Sequence, residues 1–276
     1  MARRKLFCEY GPVCYRLSLW KERLRKTLRD RRAGLCLARR RTAAPLPALA
    51  KGHRSLVLRR LTGVDMALQK NKQVNLALAA GRIDGVVVEP GETFSFWALV
   101  GQPTAKRGYL PGLAIASGKA GTAVGGGLCQ LANLIHYLVL HSPLEVTELH
   151  HHTDAIFPDD RRRVPFGTGT SVFCPHVDYR FYNGTGQRVQ IRVWLEEGDL
   201  CGELRAERPF PCRYRLSEEG HRFVKEGENW YRMSQVYRES FERETGEQVG
   251  RELILDNHSK VLYDPALIPP EEIAVS

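Results

Sequence analysis

The run Gly125-Gly126-Gly127-Leu128-Cys129-Gln130 is where residue types and spacing point most directly to chemistry. Glycine tolerates positive φ and close approach of other backbone or of a ligand. An apolar helical period follows, with Leu131, Ile135, Leu138 and Val139 recurring at steps of three or four and Pro143 just beyond the end. The spacing predicts a glycine loop that delivers Cys129 to the first turn of a helix. Amides there lack intrahelical partners and the helix dipole favours negative charge. A thiol so placed is expected to have a lowered pKa, and the same amides could hold an oxyanion. Two readings stay open: a nucleophilic cysteine with Gln130 as auxiliary donor, or a structural cysteine beside a tight turn. A third, a phosphate loop, lacks the Lys-Ser or Lys-Thr of a Walker motif and the glycine spacing of a dinucleotide fingerprint.

A nucleophile needs a base. His136 shares a helix face with Cys129 and Asn133, but two turns put it roughly 10 Å away. It reads as a satisfied interfacial histidine. The run His150-His151-His152 is the better source, with His152 as the expected base and Asp154, Asp159 or Asp160 orienting it. The same histidines could instead bind metal with Cys174 or His176, or form a solvated loop. The expected site contains no metal and no cofactor. For ligand binding the candidates are Gly125, Gly126, Gly127, Asn133 and Arg163, the last from a run of three arginines able to clamp a carboxylate. Exposed arginines answering the adjacent aspartates are the plainer alternative.

These residues must be positioned by an α+β fold: N-terminal helices, a central helix after the glycine loop packed on a mixed or antiparallel sheet, and a β-rich C-terminal part. Val13 to Arg32 has Val13, Leu17, Trp20, Leu24 and Leu28 on one face and basic residues over much of the rest. It fits either an anionic membrane surface or a helix packed on the body through its apolar face. Ala43 to Pro47 reads as a linker, and Leu56 to Ala80 as helical, broken near Gly63. Val86–Val88 and Thr93–Trp97 read as β runs around a turn. Ser171–Cys174, Tyr179–Tyr182 and Arg188–Leu195 read as strands, with Asn183-Gly184 a hairpin turn. Further hairpins are expected beyond, turning at Glu218–Gly220, Thr245-Gly246 and Asp256-Asn257. The expected domains are 1–47 (basic helical arm and linker), 48–208 (core) and 209–276 (small β-rich extension).

The chain's net charge is +10, yet residues 1–41 hold 14 Lys or Arg against 3 Asp or Glu, a net of +11. The basic character belongs to the arm, so nucleic acid is not an expected partner of the body. Seven cysteines, an odd number with no C-x-x-C pair, suggest reduced thiols in a cytoplasmic protein, with peripheral contact to the inner membrane face through residues 13–32 as the further expectation. Neither a secretory signal nor a transmembrane segment is expected.

With these residues in view, the sequence resembles the VanW family. The resemblance rests on Pro90-Gly91-Glu92-Thr93-Phe94-Ser95-Phe96-Trp97, Val100-Gly101 and Gly108-Tyr109, then Gly125 to Asn133. Phe157-Pro158-Asp159, Pro165-Phe166-Gly167 and Pro175-His176-Val177-Asp178 follow, and about residues 53–260 are covered. The sequence departs from the family pattern near the histidines, where Thr153 replaces a serine and Ala155 stands where an aspartate is usual. The resemblance implies a link to glycopeptide resistance and cell-wall metabolism, and a cell-wall precursor or peptide as partner. It supplies no reaction. Two functions follow as expectations: a cysteine-dependent hydrolase or acyltransferase on a peptide or amide, or a non-catalytic module binding an anionic precursor or a partner protein.

Overall fold

The computed structural model describes residues 6–58, 66–116, 119–151, 154–156, 158 and 164–274. In chain order its elements are α1 (Pro12–Arg32), β1 (Ala48–Leu56), α2 (Met66–Ile83), β2 (Val86–Val88), β3 (Thr93–Ser95), α3 (Phe96–Val100), β4 (Pro111–Ala116) and β5 (Lys119–Val124). Then come α4 (Cys129–Leu140), β6 (Glu145–Glu148), β7 (Asp154–Ala155), β8 (Arg180–Tyr182), β9 (Val189–Glu196), β10 (Asp199–Ala206), β11 (Cys212–Glu226), β12 (Asn229–Glu242) and β13 (Gln248–Val261). The class is α+β. All strand pairs within the sheets are antiparallel except β13 with β7.

One sheet, ordered β1-β10-β9-β2, carries α2 and α4 on its face. Its inward residues alternate in the manner of a half-buried strand: Val189, Ile191 and Val193 on β9, Leu200 and Leu204 on β10. They meet Leu76, Ala79, Ala80 and Ile83 of α2 and Leu131, Leu134, Ile135 and Leu138 of α4. Gly202 is required where α4 crosses β10, since a Cβ there would stand 2.9 Å from the Leu134 side chain. A second sheet, β3-β8-β6, closes the core with Phe94 stacked on Phe181 at 4.8 Å and with Tyr179 behind them. The C-terminal meander β11-β12-β13 forms a third sheet, with β7 on its edge. Ala155, Phe166, Phe223, Val261 and Ile268 make its own small cluster.

The structure corrects several expectations. Residues 48–56 form a strand pairing with β10, where the sequence reading began a helix at Leu56; Gly63 lies outside the described residues. Phe96 and Trp97 open α3, because the Ser95 hydroxyl caps it by accepting from Ala98 N–H. Ser171–Cys174 is an irregular loop closed by a bridge between Phe173 and Val177. Asn183-Gly184 is no hairpin, since β8 and β9 belong to different sheets. Buried Asn183 instead donates from its side-chain amide to the Val88 and Gln187 carbonyls, joining the two sheets. β11 runs through Glu218–Gly220 with a bulge, and β13 runs through Asp256-Asn257; the turn at Thr245-Gly246 is present.

Candidate functional site

Each of the three glycines is held by a specific close approach. A Cβ on Gly125 would meet Pro103 at 2.5 Å, one on Gly126 the Gly112 carbonyl oxygen at 2.2 Å, and one on Gly127 the Lys72 Cγ at 2.3 Å. Gly125 and Gly127 also have positive φ, 80° and 93°. Asn75, buried on α2, donates to the Leu110 and Gly126 carbonyls and accepts from Leu110 N–H. The loop is thereby packed against α2 and the β4–β5 hairpin.

The amides around Cys129 are partly spent. Gly125 N–H donates to Leu110, Gly126 N–H to Ala123, Gln130 N–H to Gly127 and Leu131 N–H to Leu128. Among the described residues no acceptor meets the amides of Gly127 and Leu128, and the Cys129 amide faces its own sulfur. Positive φ at Gly127 followed by right-handed Leu128 (φ −65°, ψ −19°) is the alternation that turns successive N–H groups toward one point. Lys72, buried on α2, lays its methylene stem against Gly127.

The thiol departs from expectation. Burial pushes the Cys129 thiol up, and hydrogen bonding with the backbone of Val172 and of Cys129 itself opposes this only in part; the thiol also donates to the Val172 carbonyl oxygen at 3.8 Å, which favours its protonated form. The lowered pKa expected for a helix start is not realised, because desolvation outweighs the backbone hydrogen bonds here. Among the described residues no imidazole lies within hydrogen-bond reach of Sγ. The expected base His152 lies outside the described residues, as do Asp159, Asp160 and Arg163.

The neighbouring candidates have other commitments. The Gln130 side-chain amide donates to Ser55 Oγ and the Leu56 carbonyl, both at 2.9 Å, tying α4 to β1. Asn133 Oδ1 accepts from Thr170 N–H at 2.7 Å and so pins the loop that brings Val172 over Cys129. His136 is fully buried, 3.2 Å from Tyr179 Oη, and desolvation with a smaller contribution from His151 lowers its pKa to about 3. It is a neutral core histidine. His150 faces Glu148 and His151 faces the Gly167 carbonyl. Asp154 lies in β7, where its backbone stands in register with Lys260 on the edge of the C-terminal sheet. The seven cysteines are free, and no metal-binding group of His, Cys, Asp or Glu occurs among the described residues.

A second constellation had no assigned role in the sequence. Asp178, 1 % exposed, accepts from Ser95 Oγ at 2.6 Å, from the amides of Trp97 and Tyr179, and from Arg180 Nε at 3.0 Å. Arg180 reaches on to Asp30 of α1 through two hydrogen bonds of 2.8 Å. Lys26 of α1 meets Glu148 at 3.1 Å and Asp178 at 3.2 Å. Desolvation opposes the Arg180 charge, but the hydrogen bonds and charges of Asp30 and Asp178 outweigh it and hold the guanidinium protonated. The signal for this network was visible in Ser95 and Asp178 inside the quoted motifs; what could not be read was that their partners lie on α1, some 150 residues away.

An α+β core whose glycine-cysteine loop opens the central helix, backed by a buried Ser-Asp-Arg network, is the arrangement these motifs specify. Residues 71–205 match the family model described as "VanW like protein". The chain is 32 % identical over 230 residues, 83 % of its length and 84 % of the relative's, to the Vancomycin B-type resistance protein VanW of Enterococcus faecalis. It is 34 % identical over 131 residues to the uncharacterized protein YoaR of Bacillus subtilis, covering 42 % of that protein. The chain belongs to the VanW family. No solved structure matches it.

Proposed function

We propose that this VanW-family chain acts in glycopeptide resistance as a non-catalytic binding protein for an anionic cell-wall precursor. The observation that carries this reading is the pair of unengaged amides, Gly127 and Leu128, beside a thiol that burial holds protonated. A ligand carboxylate or phosphate at the helix start would complete those two donors and gain from the dipole. A neutral thiol suits such a site, because a thiolate would repel the anion. A Cys129 hydrolase or acyltransferase would use the same amides as an oxyanion hole, but it needs a lowered thiol pKa and a base in contact.

The test is titration calorimetry of the whole protein with a soluble peptidoglycan-precursor pentapeptide and, separately, with inorganic pyrophosphate. Cys129→Ser is expected to bind within about twofold of the wild type. Turnover of the peptide by the wild type but not by Cys129→Ser overturns the reading in favour of the thiol enzyme. Absence of binding to both probes overturns it outright.

A further inference from the structure

Helix α1 is docked the wrong way round for a soluble protein. An amphipathic surface helix ordinarily buries its apolar stripe. Here the side facing the body, Leu19 apart, is polar: Arg23 donates to Gln102, Lys26 reaches Glu148 and Asp178, and Asp30 receives Arg180. No residue of α1 is fully buried. Its apolar residues Val13, Leu17, Trp20, Leu24 and Leu28 are 42–67 % exposed, and Phe7 and Tyr10 of the preceding 3₁₀ turn are 58 % and 67 % exposed.

The charges around that stripe have one sign. At 3.6 residues per turn, Arg16 borders one side of it, Lys21 and Arg32 the other, and Arg31 extends it at the C-terminal end. Among the described residues none of these four has an acidic partner. The two acids of the helix lie on the other sides, Glu22 paired with Arg25 and Asp30 with Arg180. Within α1 the outer face of the described residues therefore offers aromatic and aliphatic side chains between unpaired cations, with no carboxylate among them. No helix of the described residues is long and apolar enough to cross a membrane.

We propose that the outer face of α1 is the surface by which this protein lies on an anionic lipid bilayer. Leu17, Trp20, Leu24 and Leu28 enter the headgroup–acyl boundary. Arg16, Lys21, Arg31 and Arg32 meet lipid phosphates. The occupant is a lipid surface rather than an acidic protein groove because cations border the stripe on both sides and continue at its end, while the stripe itself is convex and uninterrupted over about four helical turns. The Lys26–Glu148–Asp178–Arg180–Asp30 network holds the helix rigidly to the body, so docking brings the whole VanW core to the membrane in one orientation.

The test uses the full chain and extruded vesicles of phosphatidylcholine, with or without about 30 % phosphatidylglycerol. Co-sedimentation is read for wild type, for Leu17→Glu/Leu24→Glu and for Arg16→Gln/Lys21→Gln/Arg31→Gln/Arg32→Gln. All the substituted side chains are solvent-exposed, so the fold is retained, and circular dichroism checks it. The wild type is expected to pellet with the anionic vesicles, to blue-shift the emission component removed by Trp20→Phe, and to bind far less in high salt. Both variants are expected to bind at least about tenfold more weakly. Wild type left in the supernatant overturns the proposal, as does binding that the double glutamate variant leaves unchanged. A wild-type dimer in solution that the double glutamate variant converts to monomer, without vesicle binding, assigns the face to a second copy and overturns it as well.

Discussion

At the scale of single residues, Cys129 and the three glycines set the account. A thiol raised by burial reacts slowly, because only the thiolate is nucleophilic. Iodoacetamide at neutral pH is expected to label Cys129 more slowly than exposed Cys36, read by peptide mass mapping. Faster labelling of Cys129 would restore the nucleophile. The glycines are packing requirements as well as backbone ones. Gly126→Ala puts a methyl 2.2 Å from the Gly112 carbonyl, which the hairpin must move to admit. The expected cost is about 1–3 kcal/mol, seen as a lower melting temperature. The sequence showed that a glycine loop opens the helix at Cys129. It did not show why contiguous glycines are needed, because Pro103, Gly112 and Lys72 come from separate elements. The Cys129 environment was misjudged for a related reason: local position predicts a helix-end field, whereas burial depends on the 170–174 loop that Asn133 and Thr170 hold in place.

At the scale of elements, the telling feature is the network that fastens α1 to the core. Removing one partner of a buried ion pair strands the other, at a cost of about 3–5 kcal/mol. Asp178→Asn is expected to destabilise by about that much in denaturant unfolding and to expose residues 12–32 to protease, since Lys26 and Arg180 lose their shared anion. Arg54→Ala, by contrast, removes solvent-screened pairs with Glu196, Glu197 and Asp199, and is expected to leave the denaturant midpoint nearly unchanged. The amphipathic pattern of α1 was legible, and so were α4, β2, β8 and β9 to within a residue or two. The direction in which α1 faces was not, since periodicity reports two faces without saying which one meets the body. Likewise Asn183-Gly184 carries a hairpin signal, but the buried Asn183 side chain spends it on joining two sheets.

At the scale of the whole molecule, two histidines buried neutral make stability depend on pH. His136 is lowered to about 3 and His141 to about 4, each mainly by desolvation, from an unfolded value of 6.5. Below 6.5 the unfolded chain takes up protons that the native state refuses. Stability contributed by these groups is full above 6.5 and falls as pH drops toward 4, at up to about 1.4 kcal/mol per pH unit per histidine. His136→Gln is expected to flatten this dependence between pH 6 and 4 even where it lowers the maximum, as read from melting temperatures across that range. The antiparallel meander at the C-terminus was anticipated, but two of its turns were misplaced. Glu218–Gly220 and Asp256-Asn257 carry turn residues, yet long cross-strand pairing runs through both, with Gly220 absorbed in a bulge.

The central claim is that the start of α4 binds an anion and does no thiol chemistry. It is tested most directly by titrating wild type and Cys129→Ser with the same precursor pentapeptide while following peptide cleavage or transfer by mass spectrometry. The account predicts equal binding within about twofold and no conversion by either protein. Conversion by the wild type that disappears in Cys129→Ser would contradict it.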